Sequence, residues 1–116
     1  PSREIVSSPD REQLKEVLQE ISVKSSENLS VADMAKFCGW SSSHFMRWFK
    51  KMTGDSFTSY VNERRLAEAA EALRQTDDKI LTISQDAGFM NLSNFNRQFK
   101  KRYGVTPREY REMIGI

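Results

Sequence analysis

The sequence is poor in the groups that carry catalysis. Its 116 residues include one histidine, His44, and one cysteine, Cys38. A metal centre needs several imidazole, thiolate or carboxylate ligands at suitable spacing, and a nucleophile needs a base within reach; neither set is present. No carboxylate pair shares a helical face in a way suited to acid–base work. We therefore expect no catalytic residue, no metal and no cofactor, and the chain does not read as an enzyme. One cysteine rules out an internal disulfide and suits a reducing cytoplasm. No signal peptide appears, and no apolar run approaches the ~18 residues of a membrane span. Glycine-rich phosphate loops, low-complexity segments and strand-like alternation are also missing, which leaves an all-α reading.

What is present is an uneven distribution of charge. The net charge is only +2. Yet Ser41–Thr53 holds Arg47, Lys50 and Lys51 without an acid, and Asn91–Tyr103 holds Arg97, Lys100, Lys101 and Arg102, also without one. Everything else sums to −5. Solvated helices usually mix signs, so this segregation reads as a footprint for an anionic partner.

The two cationic segments are copies. At an offset of fifty, Phe45, Arg47, Phe49, Lys50, Lys51, Gly54 and Tyr60 match Phe95, Arg97, Phe99, Lys100, Lys101, Gly104 and Tyr110. Upstream the offset is forty-nine, and Val31, Met34, Gly39 and Trp40 match Ile80, Ile83, Gly88 and Phe89. The slip falls between Trp40 and Phe45, so the second copy has a loop longer by one residue. Core aromatics, turn glycines and surface cations recur together, and no single structural need explains all three.

Residues 1–8 carry no periodicity and read as a tail or linker end. Ser8-Pro9 starts a helix whose apolar stripe is Leu14, Val17, Leu18 and Ile21, with Glu12, Glu16 and Glu20 on its exposed side. Lys24–Asn28 reads as a polar connector. Ser30 caps a short helix that carries Val31, Met34, Ala35 and Cys38 inward and stops at Gly39. The Ser41–Met52 helix follows and buries Phe45, Phe49 and Trp48 or Met52. Helix, short glycine-containing turn, helix is the helix-turn-helix pattern. The longest helix spans about Phe57 to Arg74, ~27 Å at 1.5 Å per residue. After the break at Thr76-Asp77-Asp78 the pattern repeats, with Ile80, Ile83 and Ala87 before Gly88. A helix then runs from Asn91 to Gly104 with Leu92, Phe95, Phe99 and Tyr103 near its inward face, so that Leu92 lies between the apolar side and the base-reading side. Thr106-Pro107-Arg108-Glu109 starts the last helix with a capping box. The expected organisation is a first helix-turn-helix subdomain at 9–54, a joining helix at 55–75 and a second subdomain at 76–116.

With both copies in view, the chain resembles the DNA-binding domain of the AraC/XylS family of bacterial transcription regulators. The residues that carry this are Ala35-(x)3-Gly39-x-Ser41-(x)3-Phe45-x-Arg47-x-Phe49-Lys50, then Arg65-Leu66-(x)2-Ala69 with Leu73 and Thr76, then Ile80-(x)2-Ile83. Most specific is Gly88-Phe89 followed by Ser93-x-Phe95-x-Arg97-x-Phe99-Lys100-Lys101-x-Tyr103-Gly104-x-Thr106-Pro107-(x)2-Tyr110. The resemblance covers about Ser30 to Arg111. Ser84 departs from the family's usual alanine, and Ala72 from a common second leucine. It implies about seven helices in a homeodomain-like arrangement, two helix-turn-helix subdomains joined by a long central helix. It also implies double-stranded DNA as ligand, RNA polymerase as a partner and a cytoplasmic location. Family members often carry an effector-binding or dimerisation domain N-terminal to this unit, and a chain that begins at Pro1 fits that expectation.

A recognition helix presents its outer face to base edges. The candidate base-reading set is Ser42, Ser43, Met46 and Arg47 in the first copy, and Leu92, Ser93, Asn96 and Arg97 in the second. Arginine can donate twice to guanine O6 and N7, Asn96 can pair with adenine N6 and N7, and Met46 and Leu92 can meet a thymine methyl. Ser41, His44, Lys50, Lys51, Asn91, Lys100, Lys101 and Arg102 are the expected phosphate contacts. The joining helix is comparable in length to the ~34 Å between successive major-groove faces, so one chain can engage two successive groove segments, on bent DNA if the joiner is rigid, or with the second reader unengaged if it is flexible. The competing reading is a protein-interaction module that uses the acidic first helix.

Overall fold

The computed structural model describes residues 8–114; of the tail expected over residues 1–8, residues 1–7 lie outside them and Ser8 already belongs to the first helix. Seven helices run through the described residues, with no strand: α1 (Ser8–Lys24), α2 (Val31–Cys38), α3 (Ser42–Thr53), α4 (Phe57–Gln75), α5 (Ile80–Asp86), α6 (Leu92–Tyr103) and α7 (Pro107–Ile114). The chain divides into two compact units, one comprising α1 and Leu29–Tyr60, the other Ser25–Asn28 and the chain from Val61 onward. The boundary falls inside α4, between Tyr60 and Val61. The connector around Ser25 belongs with the second unit.

In the first unit, backbone chemistry sets the helix ends. Ser30 and Ser41 accept the N–H groups of Asp33 at 3.0 Å and His44 at 3.1 Å through their hydroxyls. Each cap satisfies an otherwise orphaned donor and contributes about 1 kcal/mol. The Trp40 N–H donates back to the Ala35 carbonyl at 2.8 Å, which closes the turn between α2 and α3. The core takes Val17 and Ile21 from α1, Met34 and Ala35 from α2, Phe45, Trp48 and Phe49 from α3, and Phe57 from α4. Phe49 meets Phe57 edge-on at 5.6 Å and Tyr60 at 5.4 Å. A fully buried phenylalanine contributes roughly 1.5–3 kcal/mol, so these rings fix how α3 lies on its unit. Trp48 is buried rather than Met52, and its Nε1–H donates to Asp10 Oδ1 at 3.1 Å. α1 therefore holds α3 by a hydrogen bond as well as by packing. Cys38, expected inward, is only half-buried, and Gln13 Nε2 donates to its sulfur at 3.3 Å.

The second unit repeats this scheme. Phe95 and Phe99 of α6 are fully buried against Leu66, Ala69, Ala70 and Leu73 of α4, with Ile83, Ala87 and Phe89 completing the cluster. Phe99 meets Tyr110 edge-on at 5.3 Å, the counterpart of Phe49 on Tyr60. The Phe89 N–H donates to the Ser84 carbonyl at 2.9 Å, as Trp40 does to Ala35. Ser84 is buried without being orphaned, because its hydroxyl donates to the Leu81 carbonyl at 2.8 Å. Thr106 and Glu109 form the expected reciprocal capping box, at 2.9 and 3.1 Å.

Two arginines of this unit serve its architecture. Arg111 donates to the carbonyls of Leu73, Thr76 and Asp78, which terminates α4 and ties it to α7. Arg65 donates to the carbonyls of Ser25 at 2.5 Å and Glu27 at 2.6 Å, while Ser25 donates to Glu68 at 3.1 Å. Gly88 lies against this arrangement. Its φ is +101°, and a Cβ there would come within 2.9 Å of Arg65 Nε and 3.0 Å of the Ser26 backbone. Only glycine fits such a close approach at positive φ.

Candidate nucleic-acid interface

The two cationic helices have strict inside–outside patterns. In α3, Phe45, Trp48 and Phe49 turn inward, which leaves Ser42, Ser43, His44, Met46, Arg47, Lys50 and Lys51 exposed. In α6, Phe95 and Phe99 turn inward, which leaves Leu92, Ser93, Arg97, Lys100, Lys101 and Arg102 exposed and Asn96 half-buried. Ser43, Met46, Arg47 and Lys50 recur at one, three and four residues, and fall on one helical face. Ser93, Asn96, Arg97 and Lys100 repeat that face fifty residues later. Met46 and Leu92, which burial would have removed from base contact, are 46% and 37% exposed.

Each helix opens with a side-chain cap. Ser41 caps α3, and Asn91 caps α6 by accepting the Asn94 N–H at 2.9 Å. The uncapped N–H groups of each first turn add a partial positive charge to the same end. No acidic side chain belongs to α3 or α6, so the outer faces carry positive charge and hydrogen-bond donors beside the exposed Met46 and Leu92. That is the chemistry that contacts phosphates and base edges.

The copies diverge in how their polar side chains are held. In α3, the His44 ring lies flat on Trp40, with centroids 4.3 Å apart and planes 4° apart. Trp40 in turn meets Trp48 edge-on at 4.9 Å. In α6, Arg97 donates from Nη2 to Asn94 Oδ1 at 2.8 Å, and Asn62 donates to Gln98 at 3.2 Å. Arg102, expected among the phosphate contacts with the lysines, has a carboxylate partner within its own unit. Its Nε donates to Glu63 Oε1 at 2.9 Å, and its guanidinium lies 4.9 Å from the Tyr103 ring centroid. That hydrogen bond and charge raise the Arg102 pKa, and one of its N–H groups is committed to the carboxylate. Burial pushes the Tyr103 phenol up, with Arg102 opposing. Sequence reasoning missed Asn94 and Glu63; Asn94, three residues before Arg97, carried the only local signal.

No group of three or more metal-ligating side chains occurs among the described residues. None of their helices is long and apolar enough to cross a membrane.

Two helix-turn-helix patterns with outward cationic helices define a class, and comparison with known proteins gives the same answer. A family model described as a helix-turn-helix domain matches residues 34–113. The chain belongs to this family, in its AraC/XylS branch. Among its relatives, the probable transcription factor PqrA of Proteus vulgaris is 37% identical over 93 residues, covering 80% of this chain and 76% of that protein. The regulatory protein PocR of Salmonella typhimurium is 34% identical over 106 residues, covering 91% of this chain. The chain spans about a third of the longer relatives that it matches, from 30% to 36% of their length, and 35% of PocR. A solved transcriptional regulator of Chromobacterium violaceum, with an AraC-type DNA-binding domain, superposes with a TM-score of 0.83 at 28% identity. That match covers 94% of this chain and 97% of the other.

Proposed function

We propose that the chain binds double-stranded DNA in a sequence-dependent manner, as the DNA-binding domain of a bacterial transcription regulator. Its two recognition helices are α3 and α6, and each reads its own segment of major groove. The observation that carries this is the repeated outward face, Ser43–Met46–Arg47–Lys50 and Ser93–Asn96–Arg97–Lys100. It is acid-free in both copies and mounted on buried aromatic pairs.

Arg47 and Arg97 take the base-reading role, each suited to a guanine through two parallel N–H donors. Asn96 fits adenine, Ser42, Ser43 and Ser93 offer hydroxyls, and Met46 and Leu92 offer apolar contact. Lys50, Lys51, Lys100 and Lys101 take phosphates, with Ser41, His44 and Asn91 at the helix starts. Arg102 is left out of that group because Glu63 engages it. The chain acts without catalysis, in the cytoplasm, where transcription takes place in bacteria. RNA polymerase is the partner that such a regulator addresses, and an effector-binding or dimerisation domain would complete the larger regulator. The naming of PqrA and PocR as a transcription factor and a regulatory protein supports this reading.

Fluorescence anisotropy on a random-sequence duplex across a salt series tests the proposal. Affinity falls steeply, each neutralised phosphate adding ~0.9 to the log–log slope. A flat response favours the protein-interaction reading and ends this one.

A further inference from the structure

The two copies differ at a position that bears directly on their arginines. In α6, Arg97 Nη2 donates to Asn94 Oδ1 at 2.8 Å, about one helical turn back. The residue in the same place in α3 is His44, whose ring is committed to Trp40. The geometry points to Asn94 as a positioning residue for Arg97. It holds the guanidinium on the outer face of α6 before DNA arrives, and so sharpens base selection by the second recognition helix relative to the first. This inference rests on the DNA reading proposed above.

The physical case has three parts. Arginine has among the largest rotamer freedoms of any side chain, and ordering it at the moment of binding costs entropy. A hydrogen bond made beforehand reduces that cost and narrows the orientations available to a wrong base. The guanidinium has five N–H donors in a rigid fork, so giving one to Asn94 leaves enough for a bidentate pair with guanine. Asn94 is itself well anchored: it is half-buried, and its backbone N–H is bound to Asn91 Oδ1 at 2.9 Å. A neutral acceptor also suits a surface that must approach phosphates, which an aspartate would repel. Among the described residues the stacked imidazole gives Arg47 no such hydrogen bond, so its ordering is left to the DNA.

The test is selection from random duplexes with the 116-residue chain, as wild type and as Asn94→Ala, with the Arg97→Ala variant marking the base pair that Arg97 reads. Thermal midpoints are recorded alongside. Asn94→Ala is expected to weaken preference at that base pair about three- to tenfold, the net worth of one ordinary hydrogen bond at 1.4 kcal/mol per factor of ten. Its affinity for random duplex and its thermal midpoint stay those of the wild type. Asn94→Asp restores the acceptor, and with it the preference, while weakening binding to every duplex. Unchanged preference in Asn94→Ala overturns the assignment, and so does an equal loss on selected and random DNA. A wild type that selects no sequence at all is a separate outcome, which removes the DNA reading itself and this inference with it.

Discussion

Arg102 and Glu63 are joined at 2.9 Å, and this contact separates Arg102 from the two lysines that precede it in sequence. Both partners are about half exposed, so solvent screens the pair and it adds little stability. Its consequence is for binding. We expect Lys101→Ala to lower the log–log salt slope on duplex DNA by ~0.9, the loss of one phosphate contact. Arg102→Ala should leave that slope unchanged. A slope that falls equally in both variants returns Arg102 to the phosphate-contacting group.

Gly88 and Gly104 both have positive φ, but only Gly88 is crowded. A Cβ at Gly104 meets open space, whereas one at Gly88 runs into Arg65 and the Ser26 backbone. Gly104→Ala should cost about 1–2 kcal/mol, the left-handed penalty alone. Gly88→Ala should cost more, about 3 kcal/mol, because backbone must shift as well. Urea denaturation of the two variants decides; equal losses contradict the close approach described here.

Glu109 gives the second unit an acid limb. The Thr106 backbone N–H, which donates to Glu109 Oε1, and then the Thr106 hydroxyl hold the Glu109 carboxyl below its ordinary value of 4.5. A depressed folded-state pKa means that its stabilisation is fully present above the ordinary value and is lost as pH falls through the folded one. The thermal midpoint of wild type should therefore exceed that of Glu109→Ala at neutral pH, and the gap should close on acidification below about pH 4. A gap that persists at pH 2.5 assigns the effect to helix propensity instead.

Much of the fold was legible in the sequence because it depends on local signals. The expected Ser41–Met52 and Phe57–Arg74 helices match α3 and α4 to within a residue at each end, since Ser41, Gly54 and Ser56 are caps that act on their own neighbours. Phe45, Phe49, Phe95 and Phe99 followed from helical spacing, whereas spacing left Trp48 open against Met52 and placed Leu92 near the inward face, where the structure has it exposed. What escaped the sequence depends on residues distant in the chain. Ser25 looked like part of a polar connector, yet it is 2% exposed, because Arg65 and Glu68, some forty residues later, satisfy its polar groups. Glu63 and Arg102 are 39 residues apart, so periodicity could not pair them. The outward set was readable as a helical face, but not the Trp40–His44 stack, nor which arginine has a hydrogen-bonding partner. Those depend on side-chain rotamers that spacing does not encode.

In the function proposed above, two outward faces, one on α3 and one on α6, each read bases. Selection from random duplexes with the wild type, Arg47→Ala and Arg97→Ala in parallel tests this. The wild type is expected to select a site with two preferred blocks, of which each variant loses a different one, with discrimination falling by ~1–3 kcal/mol at the affected base pair. A single block that survives both substitutions rules out two base-reading helices.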